Sequence, residues 1–187
     1  MTKLLKDYSG GFDPDFSYSK LSRETLLKML EAYGDYVRKI DGHWYLEVMR
    51  KCGNKTAFEC DTAVWMRMDP FEMETTKRLL GTGGDTPLAM AKTLQASPWA
   101  SAYNCKVEII NENHVILSYL TCPTIVSLEK EGAGREKLIC QDLEIKLMHE
   151  KACCFNPAIQ VTPLKLPPRN GPDDICCRWE LKLERSE

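Results

Sequence analysis

The sequence lacks an excess of either charge and lacks long apolar runs. Its 187 residues include 25 Lys and Arg against 27 Asp and Glu, which leaves a net charge of -2. This balance provides none of the sequence-independent attraction to phosphate on which nucleic-acid-binding proteins depend, so we expect no nucleic-acid partner. No apolar run approaches the ~18 residues that span a bilayer, and the first residues lack the apolar core of a secretory signal. We therefore expect no membrane association and a cytoplasmic location.

Several signatures of catalysis and of metal binding are also missing. The chain has only three His, and it contains no Cys-x-x-Cys, no Gly-x-Ser-x-Gly and no P-loop. These patterns mark zinc knuckles, the nucleophile turn of α/β-hydrolases and phosphate-binding loops, respectively. The sequence therefore contains none of these local motifs to identify a catalytic or metal site.

Cysteine, by contrast, is abundant. The chain has nine, an odd number, so at least one would stay unpaired in any disulfide framework. Without an export signal we expect reduced thiols. Cys122, Cys140, Cys154 and Cys177 fall near predicted element ends and could converge, which makes them a candidate metal set with zinc as the candidate ion. Free cysteine is also among the most buried residue types, so the alternative is that these thiols are simply core.

The first half of the chain has helical periodicity. Apolar residues recur every three or four positions from Leu26 to Val48, and Gly53 is predicted to end this helix. A capping-box pattern predicts a second helix from Thr56. We expect Asp69-Pro70 to end that helix and to cap a third, which closes at Gly81.

The second half changes to the alternation typical of strands. The segments of 103–109 and 114–121 predict a hairpin, and two further strands are expected near the end of the chain. The sequence therefore predicts an α+β protein whose N-terminal helices pack on a mostly antiparallel sheet from the C-terminal half. We expect an N-terminal arm over 1–20 and one domain over 21–187, helical over about 21–98 and sheet-forming over about 103–185.

Acidic and aromatic residues recur on the predicted helices and suggest a pocket. Asp41 and Trp44 lie on the first helix, and Asp61 and Trp65 lie on the second. Ligand sites are mostly apolar with a few polar groups, so an apolar cavity between the helices and the sheet is the natural place for a ligand. The acidic residues could also bind a hard metal or act as acid and base. The alternatives are a plain core for the aromatic residues and, for Asp61, an interaction with the helix dipole.

The same residues resemble a known family. The segments Asp41-Gly-His-Trp-Tyr, Asp61-Thr-Ala-Val-Trp65 and Cys177-Arg-Trp-Glu-Leu181, together with Cys122 and Cys140, resemble uncharacterised bacterial and archaeal cytosolic proteins. The resemblance covers roughly Leu21 to Leu183. That family is distantly similar to L-2-amino-thiazoline-4-carboxylic acid hydrolases and to vinyl reductase-type hydrocarbon-binding domains. Relatives often carry Cys-x-x-Cys-Pro-Pro where this chain reads Pro163-Leu-Lys-Leu-Pro-Pro168, so both thiols of that run are missing here.

The resemblance implies a pocket for a small apolar or heterocyclic ligand, with Asp41, Trp44, Asp61 and Trp65 as the ligand-binding residues. It also implies an alternative, a hydrolase of a small cyclic C–N bond. Its nucleophile would be Cys122 or Cys140, or a metal held by Cys and His would activate water. A metal-stabilised interaction module is the third hypothesis. The expected partners are a small molecule and, as a candidate, a second copy in a homodimer.

Overall fold

The computed structural model describes residues 4–184 and confirms the α+β class, with helices mostly N-terminal and the sheet C-terminal. The helices are α1 Arg23–Leu80, α2 Pro87–Leu94, α3 Pro123–Glu131, α4 Arg135–Lys137 and α5 Glu144–Cys153, with a π-helical segment Leu138–Leu143 and 3-10 turns Tyr18–Lys20 and Ala100–Ala102. The strands are β1 Asn104–Asn111, β2 His114–Thr121, β3 Gln160–Lys165 and β4 Cys177–Lys182. Within this described range, no helix combines the length and the hydropathy needed to cross a bilayer.

The predicted N-terminal arm is described from Leu4 onward, and positions 1–3 and 185–187 lie outside the described residues. The arm closes on itself before α1 begins. The backbone of Leu5 pairs with that of Leu21 in a parallel bridge, and the ring of Tyr8 stacks on Phe16 with centroids 4.5 Å apart. The arm therefore ends where the Ser22 side chain caps α1 by accepting a hydrogen bond from the Thr25 N–H.

Helix α1 is a helical hairpin rather than one rod. Gly53 interrupts it with φ 84° and ψ 160°, a conformation that glycine adopts readily and other residues do not. Trp65 Nε1 donates a hydrogen bond to Asp41 Oδ1 at 2.9 Å, although a straight helix would separate residues 24 positions apart by about 36 Å. The two halves of α1 therefore fold back against each other; residues 23–52 are the first arm of this hairpin and residues 54–80 are its second arm. The predicted break at Gly53 is confirmed.

The expected start at Thr56 and the expected break at Asp69-Pro70 are wrong. The second arm is helical from directly after Gly53 and continues through Pro70 to Leu80, where Gly81 closes it with a left-handed φ of 64°. Asp69 does not cap a helix, because its Oδ2 lies 2.7 Å from Lys151 Nζ of α5. Proline costs a helix one backbone hydrogen bond, and packing of this arm against α5 compensates for the loss.

The four strands form one antiparallel sheet in the order β1-β2-β4-β3. Leu117 pairs with Trp179 at its centre, and both side chains are buried. Because side chains alternate across a strand, one face of the sheet carries the core and receives α2 and α5. The two predicted hairpin strands and the two closing strands are confirmed.

The apolar stripe that predicted the first helix faces outward. Leu30 and Ile40 are 65% and 69% exposed, and Trp44 is 41% exposed, whereas the neighbouring Tyr45 is buried. The 3.6-residue period thus identified the helix correctly but not the face that packs on the rest of the chain, because both faces of this arm carry large apolar residues. The homodimer stays a prediction.

Candidate functional site

A cavity of about 420 Å³ lies between the second arm of α1, α2, the π-helical segment with α5, and the sheet. Its size is within the range of about 300–1,000 Å³ typical of small-molecule sites. The second arm contributes Asp61, Trp65, Asp69 and Glu72, whose spacing of 4, 4 and 3 places them on one face of the helix. The opposite wall is the sheet, where alternate residues of β1, β2 and β4 point inward.

Three of the four predicted thiols meet at this cavity. Cys122 precedes α3, Cys140 lies in the π-helical segment and Cys177 begins β4, and all three line the cavity. Cys154 does not; its thiol donates to the Glu150 carbonyl, 3.3 Å away, at the end of α5. Its place is taken by Cys105 of β1, which the sequence analysis did not select.

The thiols are unpaired, and the described residues gather them into no metal-binding group. None of the nine cysteines, all within the described range, forms a disulfide. Residues 4–184 contain no group of three or more His, Cys, Asp or Glu that could hold a metal ion. The four-thiolate zinc set Cys122, Cys140, Cys154 and Cys177 is therefore not assembled in this part of the chain.

The environment of the thiols opposes thiolate formation. Burial raises the pKa of Cys105 and of Cys122 to about 11, and it raises the pKa of Cys140 and Cys177 further. The nearby Glu144 carboxyl adds to the shift at Cys122, Cys140 and Cys177. A nucleophilic cysteine needs the opposite shift and usually a histidine partner, and no described residue of the cavity wall is a histidine.

Asp41 and Asp61 form a carboxyl pair across the helical hairpin. Asp41 accepts the Trp65 indole N–H, and burial raises its pKa. Burial and the charge of Asp41 raise the pKa of Asp61 to about 7. Two carboxyl groups close together in a poorly solvated place ionise at separate pH values, so this pair can hold or release a proton near neutrality.

A second polar group centres on Lys151 of α5. Its Nζ lies 2.7 Å from Asp69 Oδ2 and 3.6 Å from Glu144 Oε1. Burial opposes its charge, but Glu144, Asp69 and Glu72 outweigh burial and raise the pKa of Lys151 to about 12. The Glu144 side chain keeps 39% of its surface accessible because it faces the cavity. Lys151 is therefore a fixed positive charge in the cavity wall.

Aromatic rings complete the wall. Trp65 meets Trp99 edge to face with ring centroids 5.2 Å apart, and Tyr103 meets Tyr119 in the same way at 5.5 Å. All four line the cavity. Trp44, expected among the ligand-binding residues, does not line it, because the first arm turns that side chain toward solvent.

The structure thus brings together Asp41, Asp61, Trp65 and three thiols, and it adds polar residues that the sequence analysis missed. The Asp69-Pro70 pair has the pattern of a helix cap, although the spacing of Asp69 from Asp61 and Trp65 indicates the same helix face. Glu144 and Lys151 are seven residues apart on one face of α5, among apolar positions. Charged residues at core positions of a helix were the available signal.

Comparison with known proteins places the chain in one family. No curated protein and no solved structure gives a significant match. Residues 19–183, well over half of the chain, match the sequence profile described as "Family of unknown function (DUF6125)". The chain belongs to this family, DUF6125.

Proposed function

We propose that this chain binds a small organic molecule in the cavity between its helices and its sheet. The observation that supports the proposal is the cavity itself, which has a volume of about 420 Å³ and a wall of apolar and aromatic side chains. Two polar groups face it, the Asp41–Asp61 pair and the group around Lys151. This combination of apolar wall and few convergent polar groups is typical of ligand sites. The family resemblance to hydrocarbon-binding domains supports the same function, and we propose a cytoplasmic location for it.

Binding is favoured over hydrolysis by a cysteine. Cys122 and Cys140, the candidate nucleophiles, are held as neutral thiols by burial, and no histidine lines the described wall to activate them. The alternative hydrolase of a cyclic C–N bond would need a different catalytic group. The Asp41–Asp61 pair would be that group, since both carboxyls line the cavity and burial together with Asp41 raises the pKa of Asp61 to about 7.

The cavity can be tested by filling it. Replacement of Cys140 by Phe places a ring in the open volume, whereas the same replacement at exposed Cys153, outside the wall, leaves the cavity unchanged. We expect wild type and C153F to bind Nile red, an uncharged apolar fluorophore, with equal affinity, and C140F to bind at least tenfold more weakly. Equal binding by C140F and C153F, with both folded by circular dichroism, would contradict the proposal, as would absence of binding to wild type.

A further inference from the structure

The charges in the cavity wall are unbalanced. Among the described residues that line it, five are carboxylic acids and one is a lysine. Lys151 is already engaged by Asp69 and Glu144 at 2.7 and 3.6 Å. The other acids are Asp41, Asp61 and Glu72, and no Lys, Arg or His of residues 4–184 forms an ion pair with any of them. The described wall therefore holds more acidic groups than it has cations to pair with them.

Burial makes this imbalance costly in the absence of a ligand. Asp61 is only 6% exposed, yet it lines the cavity and has the Asp41 carboxyl as its neighbour. An ionised carboxyl group in such a place is unfavourable unless an opposite charge or several hydrogen bonds compensate it. A cation placed in the cavity would provide that compensation at the Asp41–Asp61 pair.

The surrounding rings suit an organic cation rather than a bare metal ion. Trp65 donates its indole N–H to Asp41 and packs edge to face on Trp99, and both rings line the cavity. Aromatic faces attract ammonium and guanidinium-type groups. Further along the wall, Leu117, Tyr119 and the thiols present an apolar surface that would accept an uncharged body.

We propose that the ligand is an organic cation: an amine or amidine group carried on an apolar or aromatic body, with the charged group at Asp41 and Asp61. This inference rests on the proposed function and adds the ligand class to it. The same charges disfavour an anionic ligand, since a carboxylate would meet five acids and only one lysine.

Three probes of equal shape and different charge test the ligand class. Isothermal titration calorimetry at pH 8 compares 4-phenylbutylamine, 4-phenylbutanol and 4-phenylbutanoate on the full chain. We expect the amine to bind at least tenfold more tightly than the alcohol, and the carboxylate to bind most weakly. Asp61→Asn should reduce amine affinity at least tenfold and change alcohol affinity less than twofold. Asp173→Asn, an exposed residue outside the cavity, is the matched control and should change neither.

The outcomes separate this inference from the proposed function. If wild type binds the alcohol as tightly as the amine or more tightly, the inference of a cationic ligand is wrong, and the cavity remains a proposed site for neutral molecules. An amine preference that persists undiminished in folded D61N would also overturn the inference, because the amine would then be recognised by a charge other than the Asp41–Asp61 pair. If wild type binds none of the three probes and does not bind Nile red, both the proposed ligand-binding function and the inference of a cationic ligand are wrong.

Discussion

Asp61 should make the stability of the protein depend on pH in a way that a single substitution removes. Its pKa is raised from the ordinary 3.8 to about 7 in the folded chain, by burial first and by Asp41 second. In the unfolded chain Asp61 loses its proton near 3.8, whereas the folded chain keeps the proton until about 7. Between these values the folded state binds more protons, so the free energy of unfolding falls as the pH rises.

The size of the effect follows from the shift. Each unit of pKa corresponds to about 1.4 kcal/mol, so a shift of about three units removes up to about 4 kcal/mol of stability between pH 4 and pH 7. Asparagine has the shape of the protonated aspartic acid but never ionises. We therefore expect D61N to match wild type at pH 4 and to exceed its free energy of unfolding at pH 8 by up to about 4 kcal/mol, or roughly 10 °C in Tm.

Urea unfolding of wild type and D61N at pH 4, 5, 6, 7 and 8 measures this difference, with D173N as the control of equal charge change at an exposed site. The wild-type curve alone contains the titration of every other acid, but the difference between the two proteins isolates Asp61. A difference that stays constant from pH 4 to pH 8, or a D61N protein less stable than wild type at pH 8, would refute the reasoning.

Three further predictions concern the cavity wall and the hairpin. Lys151→Met leaves the buried Asp69 carboxyl and the cavity-facing Glu144 carboxyl without their cation, so we expect a loss of about 3–5 kcal/mol of stability at pH 7 by urea unfolding; a neutral effect would contradict the described ion pairs. Gly53→Ala should lower the free energy of unfolding by about 1–3 kcal/mol, because the φ of Gly53 is 84°. Gly42 is helical and has open space around its Cβ position, so Gly42→Ala should raise the free energy of unfolding by about 1 kcal/mol. Equal effects of the two substitutions on Tm would refute the hairpin turn at Gly53. At pH 7.5 iodoacetamide should label the exposed thiols at least tenfold faster than the cavity thiols, as followed by mass spectrometry; equally fast labelling in the cavity would indicate an activated thiol. The exposed set is Cys52 and Cys153, and the cavity set is Cys105, Cys122, Cys140 and Cys177.

The sequence predicts the fold well where the local pattern and the packing agree. Strand 177–182 alternates strictly, and the residues that its alternation selects, Trp179 and Leu181, are buried; Leu117 of the more apolar strand 114–121 is buried against them. The start of α2 also follows its local pattern, since Thr86 precedes Pro87 and the Thr86 hydroxyl accepts a hydrogen bond from the Ala89 N–H. In these segments only one face packs against the hydrophobic core, so the local pattern is sufficient to predict which residues are buried.

Prediction fails where tertiary contacts override the local signal. Asp69-Pro70 has the pattern of a helix start, but burial of Asp69 on Lys151 keeps the helix intact. Trp44 belongs to the apolar stripe of the first arm, yet the hairpin buries Tyr45 instead. Both errors have the same origin: periodicity identifies a helix, while the partner that each face meets depends on elements far away in sequence.

The candidate site was predicted in part for a related reason. Asp41, Asp61 and Trp65 were selected, and the indole N–H of Trp65 joins the two arms. Glu72, Glu144 and Lys151 were not selected, because their importance lies in converging on one cavity from different helices. Spacing within one helix gives the face of each residue but not the distance between helices.

The central claim, that this cavity holds an organic cation, is tested most directly by a crystal structure of the chain grown with 4-phenylbutylamine. We predict electron density for the ligand inside the cavity, with its nitrogen within hydrogen-bond distance of Asp61 and its phenyl ring toward the thiols of Cys140 and Cys177. Density for side chains filling this volume, or ligand density only on the protein surface, would contradict the account.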